Sequence, residues 1–319
     1  MTGAGPTVVV AAVELPVEAL DVERAVLASL DATVLDLRDR PLRSIQAELA
    51  RADAVMTEGI ERLDAPIVDS LLRCRVISVY AVGTDGVDVA AAARRGIPVT
   101  NVPDYCTTEV AEHTMALILT GWRRLPDAQR IARSGDWALD EVREVRRLEG
   151  RTLGLLGFGR IARRVAERAG AFGLQVLACD PHVAPDTGAA VGVRLCGFEE
   201  LLRSSDILSV HLPATAETAG LVDAHAISLL PRGALVVNAG RGSVVDEEAL
   251  LAALRDGRLT GAALDVLARE PPSPGHPLLG LHNVVCTPHM AYYSQESLAT
   301  LRRHAAENVR AILEGDPTA

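Results

Sequence analysis

The chain has 319 residues, of which 49% are hydrophobic and only 3% aromatic. That length allows two domains with largely aliphatic cores. A formal net charge of −10 disfavours nonspecific binding to nucleic acid. No apolar run reaches the roughly eighteen residues that a membrane span needs, and no basic segment leads into an apolar stretch near the start, as a secretory signal would. We therefore predict neither a nucleic-acid nor a membrane partner.

The cysteines and basic residues restrict the chemistry further. The five cysteines are odd in number and widely scattered, at Cys74, Cys106, Cys179, Cys196 and Cys286. This spacing is typical of reduced thiols rather than of a disulfide framework or a zinc site. We predict a cytoplasmic protein that binds no metal ion. All 32 basic residues are arginine, which excludes Schiff-base chemistry on a lysine.

Strand and helix patterns alternate through the first hundred residues. Aliphatic or β-branched runs predict strands at 7–13, 33–37, 54–56, 76–79 and 97–100. Apolar periodicity and capping residues predict helices at 16–30, 44–51, after Asp64-Ala-Pro66, and at 88–95. Such alternation is typical of an α/β unit with a largely parallel sheet.

A long helix and a second α/β unit follow. The helix predicted at 107–124 is apolar on more than one face, so we expect it to be buried between domains or subunits; a helix and turn follow at 126–137. Later strands are predicted at 152–156, 175–178, 207–210, 234–238, 261–265 and 284–286, with helices near 198–203, 224–229 and 246–256 and a Pro-rich loop at 268–279. Ser294 is predicted to cap a final helix that ends near Gly315 and returns to the first unit.

The most specific motif is Gly157-Phe-Gly159, between a predicted strand and an apolar-periodic helix. One glycine suits the tight turn, the other suits close approach of a pyrophosphate, and Ala162 takes the third small position. Asp180 ends the next strand, at the distance of about 20 residues where an acid binds the ribose hydroxyls. The motif predicts an NAD-binding Rossmann-like domain, with NAD favoured because the carboxylate would repel the 2′-phosphate of NADP. The alternative is a glycine-rich turn in another kind of α/β protein.

Chemically useful side chains follow the later strands, in Asn-Ala-Gly-Arg241-Gly, at Asp265 and Glu270, and in Thr-Pro-His289. A guanidinium can hold a carboxylate and a neighbouring carbonyl. A histidine can give a proton to the oxygen formed when hydride reaches a carbonyl carbon, and a carboxylate beside it raises its pKa. Taken singly, Glu270 would pass as a loop charge and His289 as a helix cap. Together the residues suit reduction of a 2-keto acid, and the glycines beside Arg241 suggest close approach of a ligand.

Other histidines are interpreted differently. His211, which follows the strand at 207–210, is expected to form part of the cofactor wall rather than to act in catalysis. His113, within the long helix, is expected to be buried structure.

Several segments, in order, resemble the D-isomer-specific 2-hydroxyacid dehydrogenase family, and within it the branch of the C-terminal-binding proteins. They lie at 81–88, 101–113, 157–159, 211–213, 238–242, 265–271 and 287–294. The resemblance implies an α/β fold of two Rossmann-like domains with parallel sheets. The NAD-binding domain (103–290) would be inserted into a discontinuous, flavodoxin-like substrate domain (1–102 and 291–319). It also implies a homodimer held partly by the long helix.

The resemblance also implies roles for individual residues. Arg241, Glu270 and His289 would be catalytic, with Arg241 as substrate clamp and Glu270 as partner of the acid/base His289. Cofactor-binding residues would be Val110, Gly157, Phe158, Gly159, Arg160, Ile161, Asp180, His211, Leu212, Pro213, Thr218, Asn238, Ala239, Arg241, Asp265 and His289. Substrate-binding residues would be Tyr80, Val82, Gly83, Arg241, His289 and Tyr292.

Three positions depart from the usual pattern of this branch. Many relatives have arginine, glycine and asparagine where this chain has Val79, Ala81 and Gly86, so we expect an altered substrate pocket. The sequence predicts an NAD-dependent oxidoreductase that interconverts a D-2-hydroxy acid and a 2-keto acid. The alternatives are a phosphite-type dehydrogenase on the same scaffold and an NAD-sensing, corepressor-like binding protein. Formate oxidation is disfavoured because formate dehydrogenases have glutamine where this chain has Glu270.

Overall fold

A computed structural model describes residues 5–16, 18–142, 145–184, 186–188 and 191–315. The chain forms two compact units, Met1–Cys106 with Ser294–Ala319 (unit 1) and Thr107–Tyr293 (unit 2). Both boundaries fall a few residues later than predicted. The α/β class, the two parallel sheets and the return of the last helix to the first unit are confirmed. Which unit binds substrate and which binds cofactor is taken up below.

Twelve strands and eleven α-helices are numbered here in chain order. The strands are β1 Thr7–Val10, β2 Thr33–Asp36, β3 Ala54–Thr57, β4 Val76–Val79, β5 Val99–Thr100, β6 Thr152–Leu156, β7 Gln175–Cys179, β8 Arg194–Leu195, β9 Ile207–Val210, β10 Ala234–Asn238, β11 Leu259–Leu264 and β12 Val284–Cys286. The helices are α1 Asp21–Leu27, α2 Gln46–Leu49, α3 Ala65–Ser70, α4 Val89–Arg94, α5 Thr107–Trp122, α6 Leu125–Arg133, α7 Arg160–Ala171, α8 Phe198–Ser204, α9 Ala224–Leu229, α10 Glu247–Arg255 and α11 Gln295–Glu314. None of these helices is both long and apolar enough to cross a bilayer, a statement limited to the described residues.

Unit 1 is a three-layer structure around a parallel sheet of order β2-β1-β3-β4-β5. This is the flavodoxin-like order. Helices α2, α3 and α4 cover one face with an aliphatic cluster. Helix α11 packs against β4 and α1, and Ser294 starts it with a capping box in which its side chain and that of Ser297 each accept a backbone amide.

A buried ion pair joins the two ends of unit 1. Arg302 on α11 donates from Nε to Glu23 Oε1 at 2.9 Å and from Nη2 to Glu23 Oε2 at 2.7 Å. The hydroxyl of Tyr80 donates to the same Glu23 Oε1 at 3.1 Å. Burial and the adjacent Glu23 raise the pKa of Tyr80 well above its usual value. The phenol of Tyr80 therefore serves the core of unit 1, which leaves only its backbone for the predicted substrate contact.

Unit 2 is a second three-layer structure, with a parallel sheet of order β12-β11-β10-β9-β6-β7-β8. One face is covered by α8, α9 and α10 and the other by α5 and α7. From β6 the chain adds β7 and β8 on one side of the sheet and then returns to add β9 to β12 on the other side. At such a switch point between β6 and β9, a crevice forms at the carboxyl ends of the strands. The long helix α5 is buried against α7, β10 and β11 inside unit 2. Its two-sided apolar surface thus reflects this packing and does not require a domain or subunit boundary.

Some predicted elements differ from the structure. The helix predicted at 16–30 begins only at Asp21 and ends in a 3₁₀ turn, and the one predicted at 44–51 shrinks to α2. Strand β8 was not predicted because two residues carry no detectable alternation. The loop predicted at 268–279 ends in a 3₁₀ turn, Pro277–Gly280.

Candidate active site

The glycine motif forms an open helix start at the switch point of unit 2. Gly157 has φ +93°, and a Cβ there would lie 2.7 Å from the carbonyl oxygen of His211, so only glycine fits. Gly159 precedes the first residue of α7, and a Cβ at Gly159 would have no neighbouring atom within 4 Å. The turn before α7 is therefore uncrowded at Gly159, and the amides at a helix start favour an anion. This cradle fits the pyrophosphate of a dinucleotide.

Asp180 follows β7 beside this cradle and is half-buried. Its Oδ2 accepts the backbone amide of Phe158 and its Oδ1 that of His182, both at 2.9 Å. Two backbone amides thus hold the carboxylate at the end of its strand. The ring of Phe158 is fully buried beneath the Arg163 guanidinium, 5.5 Å from the ring centroid, so Phe158 can meet a ligand only through its backbone.

The remaining predicted cofactor residues also belong to unit 2. Val110 is buried on α5, and the Thr218 hydroxyl donates to the carbonyl of Pro213 at 2.6 Å in the loop after β9. The others lie at the start of α7, in the loop after β9, at the end of β10 or directly after it: Arg160, Ile161, Leu212, Asn238 and Ala239. Unit 2 thus brings the predicted cofactor residues onto one scaffold.

His211 directly follows β9 and has no charged partner that could hold a proton on its ring. Its Nε2 lies 2.9 Å from the hydroxyl of Ser209. Burial lowers the pKa of His211 to about 4. The imidazole is therefore neutral near pH 7, in keeping with a wall residue rather than an acid catalyst.

Arg241 follows β10, and its main chain is fixed by the buried Asn238. The Asn238 side chain accepts the amide of Gly240 and donates to the carbonyl of Arg241, both at 3.0 Å. Of the two glycines beside Arg241 that suggest close approach of a ligand, Gly242 also has a structural reason. A Cβ on Gly242 would lie 2.0 Å from the carbonyl of Leu267, so this glycine is required by contact with the next loop.

His289, which follows β12, forms a close pair with Glu270, which follows β11. Nδ1 of His289 lies 2.6 Å from Glu270 Oε2, while Glu270 Oε1 accepts the amide of Leu267 at 2.8 Å. The hydrogen bond to Glu270 raises the pKa of His289, outweighing the opposing effect of partial burial. The side chain of His289 is 47% exposed. Because Glu270 engages Nδ1, Nε2 is the ring atom left to exchange a proton with a ligand.

Arg241, Glu270 and His289 line one cavity of about 180 Å³, together with Gly242, Ser243, Val266, Leu267 and Ala268. The three residues are 48 positions or fewer apart in the sequence but come from loops after three different strands. Unit 2 thus assembles a cation, a carboxylate and an acid/base histidine at one edge of its sheet. The ring of Tyr292 meets that of His289 edge-on, with 6.4 Å between centroids.

Asp265 lies beneath this pair and is 1% exposed. Its Oδ1 accepts the amide of Met290 at 3.0 Å and the hydroxyl of Thr287 at 2.5 Å, and its Oδ2 accepts the amide of Ala291 at 2.8 Å. Nε2 of His113 lies 2.9 Å from the Thr287 hydroxyl. Burial raises the pKa of Asp265, but the hydrogen bonds outweigh burial and hold that pKa below its usual value.

The sequence analysis missed Thr287 and interpreted His113 only as buried structure. Both residues lie inside segments that carry the family resemblance, 101–113 and 287–294. Their location in these segments is the signal that the sequence offers, because no local pattern predicts a contact between two residues that are 174 positions apart.

The other predicted substrate residues belong to unit 1. Val82 and Gly83 follow β4 and are half-buried, and the Asn101 side chain donates to the Val82 carbonyl. Val79, where relatives have arginine, is 1% exposed at the end of β4. A Cβ on Gly86 would lie 2.5 Å from the Cα of Gly59. The departure at Gly86 thus has a structural reason, since an asparagine there would collide with the neighbouring loop.

Within the described ranges, no three His, Cys, Asp or Glu side chains are placed to share a metal ion. The five cysteines are free thiols in the same ranges.

Comparison with known proteins identifies similar sequences and folds. The profile described as "D-isomer specific 2-hydroxyacid dehydrogenase, NAD binding domain" matches residues 115–291. The chain is 39% identical over 281 residues to the glyoxylate reductase of Aeropyrum pernix, across 86% of this chain and 84% of that protein. It is 38% identical over 270 residues to the D-3-phosphoglycerate dehydrogenase of Archaeoglobus fulgidus, across 85% of this chain. The match covers 51% of that dehydrogenase, so the chain spans about half its length. The structure of D-lactate dehydrogenase from Aquifex aeolicus, complexed with NAD and lactic acid, has a TM-score of 0.87 and 31% identity, covering 97% of this chain and 96% of the other.

Proposed function

Because this chain belongs to the D-isomer specific 2-hydroxyacid dehydrogenase family, we propose that it is an NAD-dependent oxidoreductase interconverting a D-2-hydroxy acid and its 2-keto acid. The observation that carries the proposal is the 2.6 Å contact between His289 and Glu270 in a cavity that Arg241 also lines. This arrangement matches what reduction of a 2-keto acid requires: one group to hold the carboxylate and one to supply a proton.

In the reduction direction, Nε2 of His289 donates a proton to the substrate's carbonyl oxygen. NADH, when bound, supplies the hydride. Glu270 accepts a hydrogen bond from Nδ1–H, which fixes the ring and stabilises the imidazolium. In the oxidation direction the neutral ring takes the proton back. Arg241 holds the substrate carboxylate with its planar guanidinium.

The cofactor is held by the glycine motif and Asp180. The amides at the start of α7 would hold the pyrophosphate, and the Asp180 carboxylate would accept hydrogen bonds from the ribose hydroxyls. We assign cofactor binding to unit 2 and substrate binding to unit 1, through the backbone of Val82 and Gly83. The fit rests on the open space at Gly159 and on the amide-held carboxylate of Asp180.

The substrate, oligomeric state and location complete the proposal. The similar proteins are named for glyoxylate, D-lactate and D-3-phosphoglycerate, and we assign a small 2-keto acid to this chain.

The homodimer is supported by Trp137 and Leu139, which are 83% and 72% exposed, since large exposed apolar side chains mark contact surfaces. Light scattering on the purified protein tests the dimer. Free thiols support a reducing, cytoplasmic location.

Substrate turnover is tested by NADH oxidation with glyoxylate, pyruvate, hydroxypyruvate, its 3-phosphate and phenylpyruvate. We expect at least one keto acid to be reduced. NAD reduction by phosphite without turnover of any keto acid would favour the phosphite-type alternative. Tight NADH binding with no turnover of either class would favour the corepressor-like alternative.

The role of Glu270 is tested by the pH dependence of reduction in Glu270→Gln. The acid form of His289 is required, and Glu270 raises its pKa. The activity of the wild type is therefore present below that raised pKa and lost as pH rises through it, and the variant should lose activity at a lower pH. Glu199→Gln is the control, because Glu199 pairs with Arg203 on α8 and is not among the residues that line the cavity. A basic limb that stays fixed in Glu270→Gln would remove Glu270 as the partner of His289.

A further inference from the structure

The turn that carries His289 has an unfavourable backbone that must be held in place. His289 has φ +49°, a left-handed conformation that residues other than glycine seldom adopt. Its amide donates to the Asp265 carbonyl at 2.8 Å, and the amides of Met290 and Ala291 donate to the Asp265 carboxylate at 3.0 and 2.8 Å. Three consecutive amides of this turn thus depend on one residue.

The carboxylate of Asp265 is in turn held from below. The Thr287 hydroxyl donates its only proton to Asp265 Oδ1 at 2.5 Å. The Thr287 oxygen must therefore accept from His113, whose Nε2 lies 2.9 Å away. The direction of donation is fixed: His113 on α5 donates to Thr287, Thr287 donates to Asp265, and the amides of the turn also donate to Asp265.

We infer that His113 and Thr287 are positioning residues for His289, acting through Asp265 to keep its imidazole against Glu270. The inference rests on the proposed function, because it concerns the same acid/base histidine. Helix α5 thus helps to fix the conformation of the turn that carries His289, although neither His113 nor Thr287 is among the residues that line the cavity.

Removal of the Thr287 hydroxyl has a defined consequence for the turn. Asp265 is 1% exposed, so water cannot easily replace the lost donor. The amide of Met290 would remain as the nearest donor to Oδ1. The carboxylate would then be free to rotate, which weakens its hydrogen bonds with the amides of Met290 and Ala291. His289 would then depart from Glu270, which lies 2.6 Å away. Proton donation becomes less efficient, while the guanidinium of Arg241 still holds the substrate.

The test uses two pairs of variants that differ in one hydrogen bond. Thr287→Val keeps the shape of threonine without the hydroxyl, and Thr287→Ser keeps the hydroxyl. His113→Leu removes the donor, whereas His113→Gln places an amide N–H near the position of Nε2. We expect kcat to fall about tenfold in the Val and Leu variants and about twofold or less in the Ser and Gln variants, with the keto-acid KM changed less than about twofold.

Thr152→Val is the control substitution. Thr152 starts β6, at the end of the strand away from the glycine motif. The same chemical change there should leave kcat as in the wild type. Equal losses of kcat in all four variants at positions 113 and 287 would show a general structural role and would overturn the inference. So would an unchanged kcat in Thr287→Val.

A second readout does not require turnover. The imidazole of His289 can be titrated by NMR in the absence of substrate, with His289→Asn used to assign its signal. The pKa of His289 should fall towards its ordinary value in Thr287→Val and His113→Leu, and should stay raised in Thr287→Ser and His113→Gln. If the wild type reduced no keto acid but these shifts were present, the proposed function would fail while the positioning role stood. If turnover were present and all five proteins titrated alike, the positioning role would fail.

Discussion

The most buried carboxylate of each unit, within the described ranges, is satisfied in a different way. Glu23 in unit 1 and Asp265 in unit 2 are each 1% exposed. Glu23 is neutralised at contact by the two-pronged guanidinium of Arg302 and receives the hydroxyl of Tyr80. The donors within 3.0 Å of the Asp265 carboxylate are a hydroxyl and two backbone amides, all uncharged.

This difference shows that Glu23 belongs to a structural ion pair, whereas Asp265 influences the electrostatics of the candidate active site. The charge of Glu23 is cancelled inside the core, so the pair joins α1 to α11 and reaches no ligand. The close donors to Asp265 are uncharged, with Nε2 of His113 farther away at 3.5 Å from Oδ1, and the charge of Asp265 adds to Glu270 in raising the pKa of the exposed His289. A buried carboxylate held by uncharged donors can therefore act on a neighbouring acid/base group, whereas one paired with arginine cannot.

The largest effect is expected from His289→Ala. Loss of the proton donor should lower kcat for reduction by about 10²- to 10⁴-fold, measured by steady-state oxidation of NADH with an accepted keto acid. The melting temperature should stay close to that of the wild type because the side chain is exposed. A loss of less than about tenfold would mean that another group supplies the proton.

Arg302→Met should instead act on stability. It leaves Glu23 buried without its cation, and breaking such a pair costs about 3 kcal/mol of unfolding free energy, measured by urea denaturation. Replacing Glu23 as well, in the double variant Glu23→Gln/Arg302→Met, should recover part of the loss. If Arg302→Met lowered kcat per folded molecule without loss of stability, the ion pair of Glu23 and Arg302 would not be purely structural.

His211 extends the comparison to a half-buried imidazole whose pKa is lowered by burial, with no charged group contributing among the described residues. Its folded-state pKa is about 4, against 6.5 in the unfolded chain. The unfolded chain therefore takes up a proton below pH 6.5 that the folded chain refuses until about pH 4, so stability falls as pH falls through this window. At pH 5 the cost is about 2 kcal/mol. Denaturation at pH 7 and pH 5 should show a smaller fall in His211→Asn, with the exposed His304→Asn behaving as the wild type.

The smallest effect concerns Asp180, whose carboxylate, like that of Asp265, accepts two backbone amides. Its uncancelled charge should repel the 2′-phosphate of NADPH. We expect kcat/KM to favour NADH by at least about tenfold, roughly 1.4 kcal/mol. Asp180→Ser should reduce this ratio. Equal use of NADPH by the wild type would show that Asp180 does not set cofactor choice.

Local sequence patterns predicted the strands and helices whose first and last residues are determined by residues nearby in the sequence. β4, β6, β9, β10 and β12 have the predicted bounds because each is a short aliphatic run ended by turn residues. Ser294 begins α11 as predicted because its cap depends on Ser297, three residues away. The glycine motif and Asp180 were recognised for the same reason: strand, turn and helix are contiguous.

Contacts between distant residues could not be predicted in this way. Tyr80 was assigned to substrate because the sequence does not show that Glu23 lies against its hydroxyl, 57 residues earlier. Gly242 was interpreted as a ligand contact because the carbonyl of Leu267 occupies that space only in the folded chain. Thr287 carried no recognisable signal until Asp265 and His113 were placed beside it. Hydrogen bonds of this kind follow from the packing of the sheet and have no sequence period.

The ion pair between Glu23 and Arg302 also has a consequence for synthesis on the ribosome. The partners are 279 residues apart, and unit 2 is one continuous segment, Thr107–Tyr293. Unit 2 is therefore complete in the nascent chain before α11 has been made, although domains nearer the N-terminus usually fold first. Until α11 emerges, Glu23 lacks its cation and β4 lacks the helix that covers it. The part of unit 1 that precedes unit 2 in the chain is thus translated before unit 2 but reaches its final structure after it, and ribosome-bound chains stalled before α11 should be cleaved by protease in unit 1 while unit 2 resists.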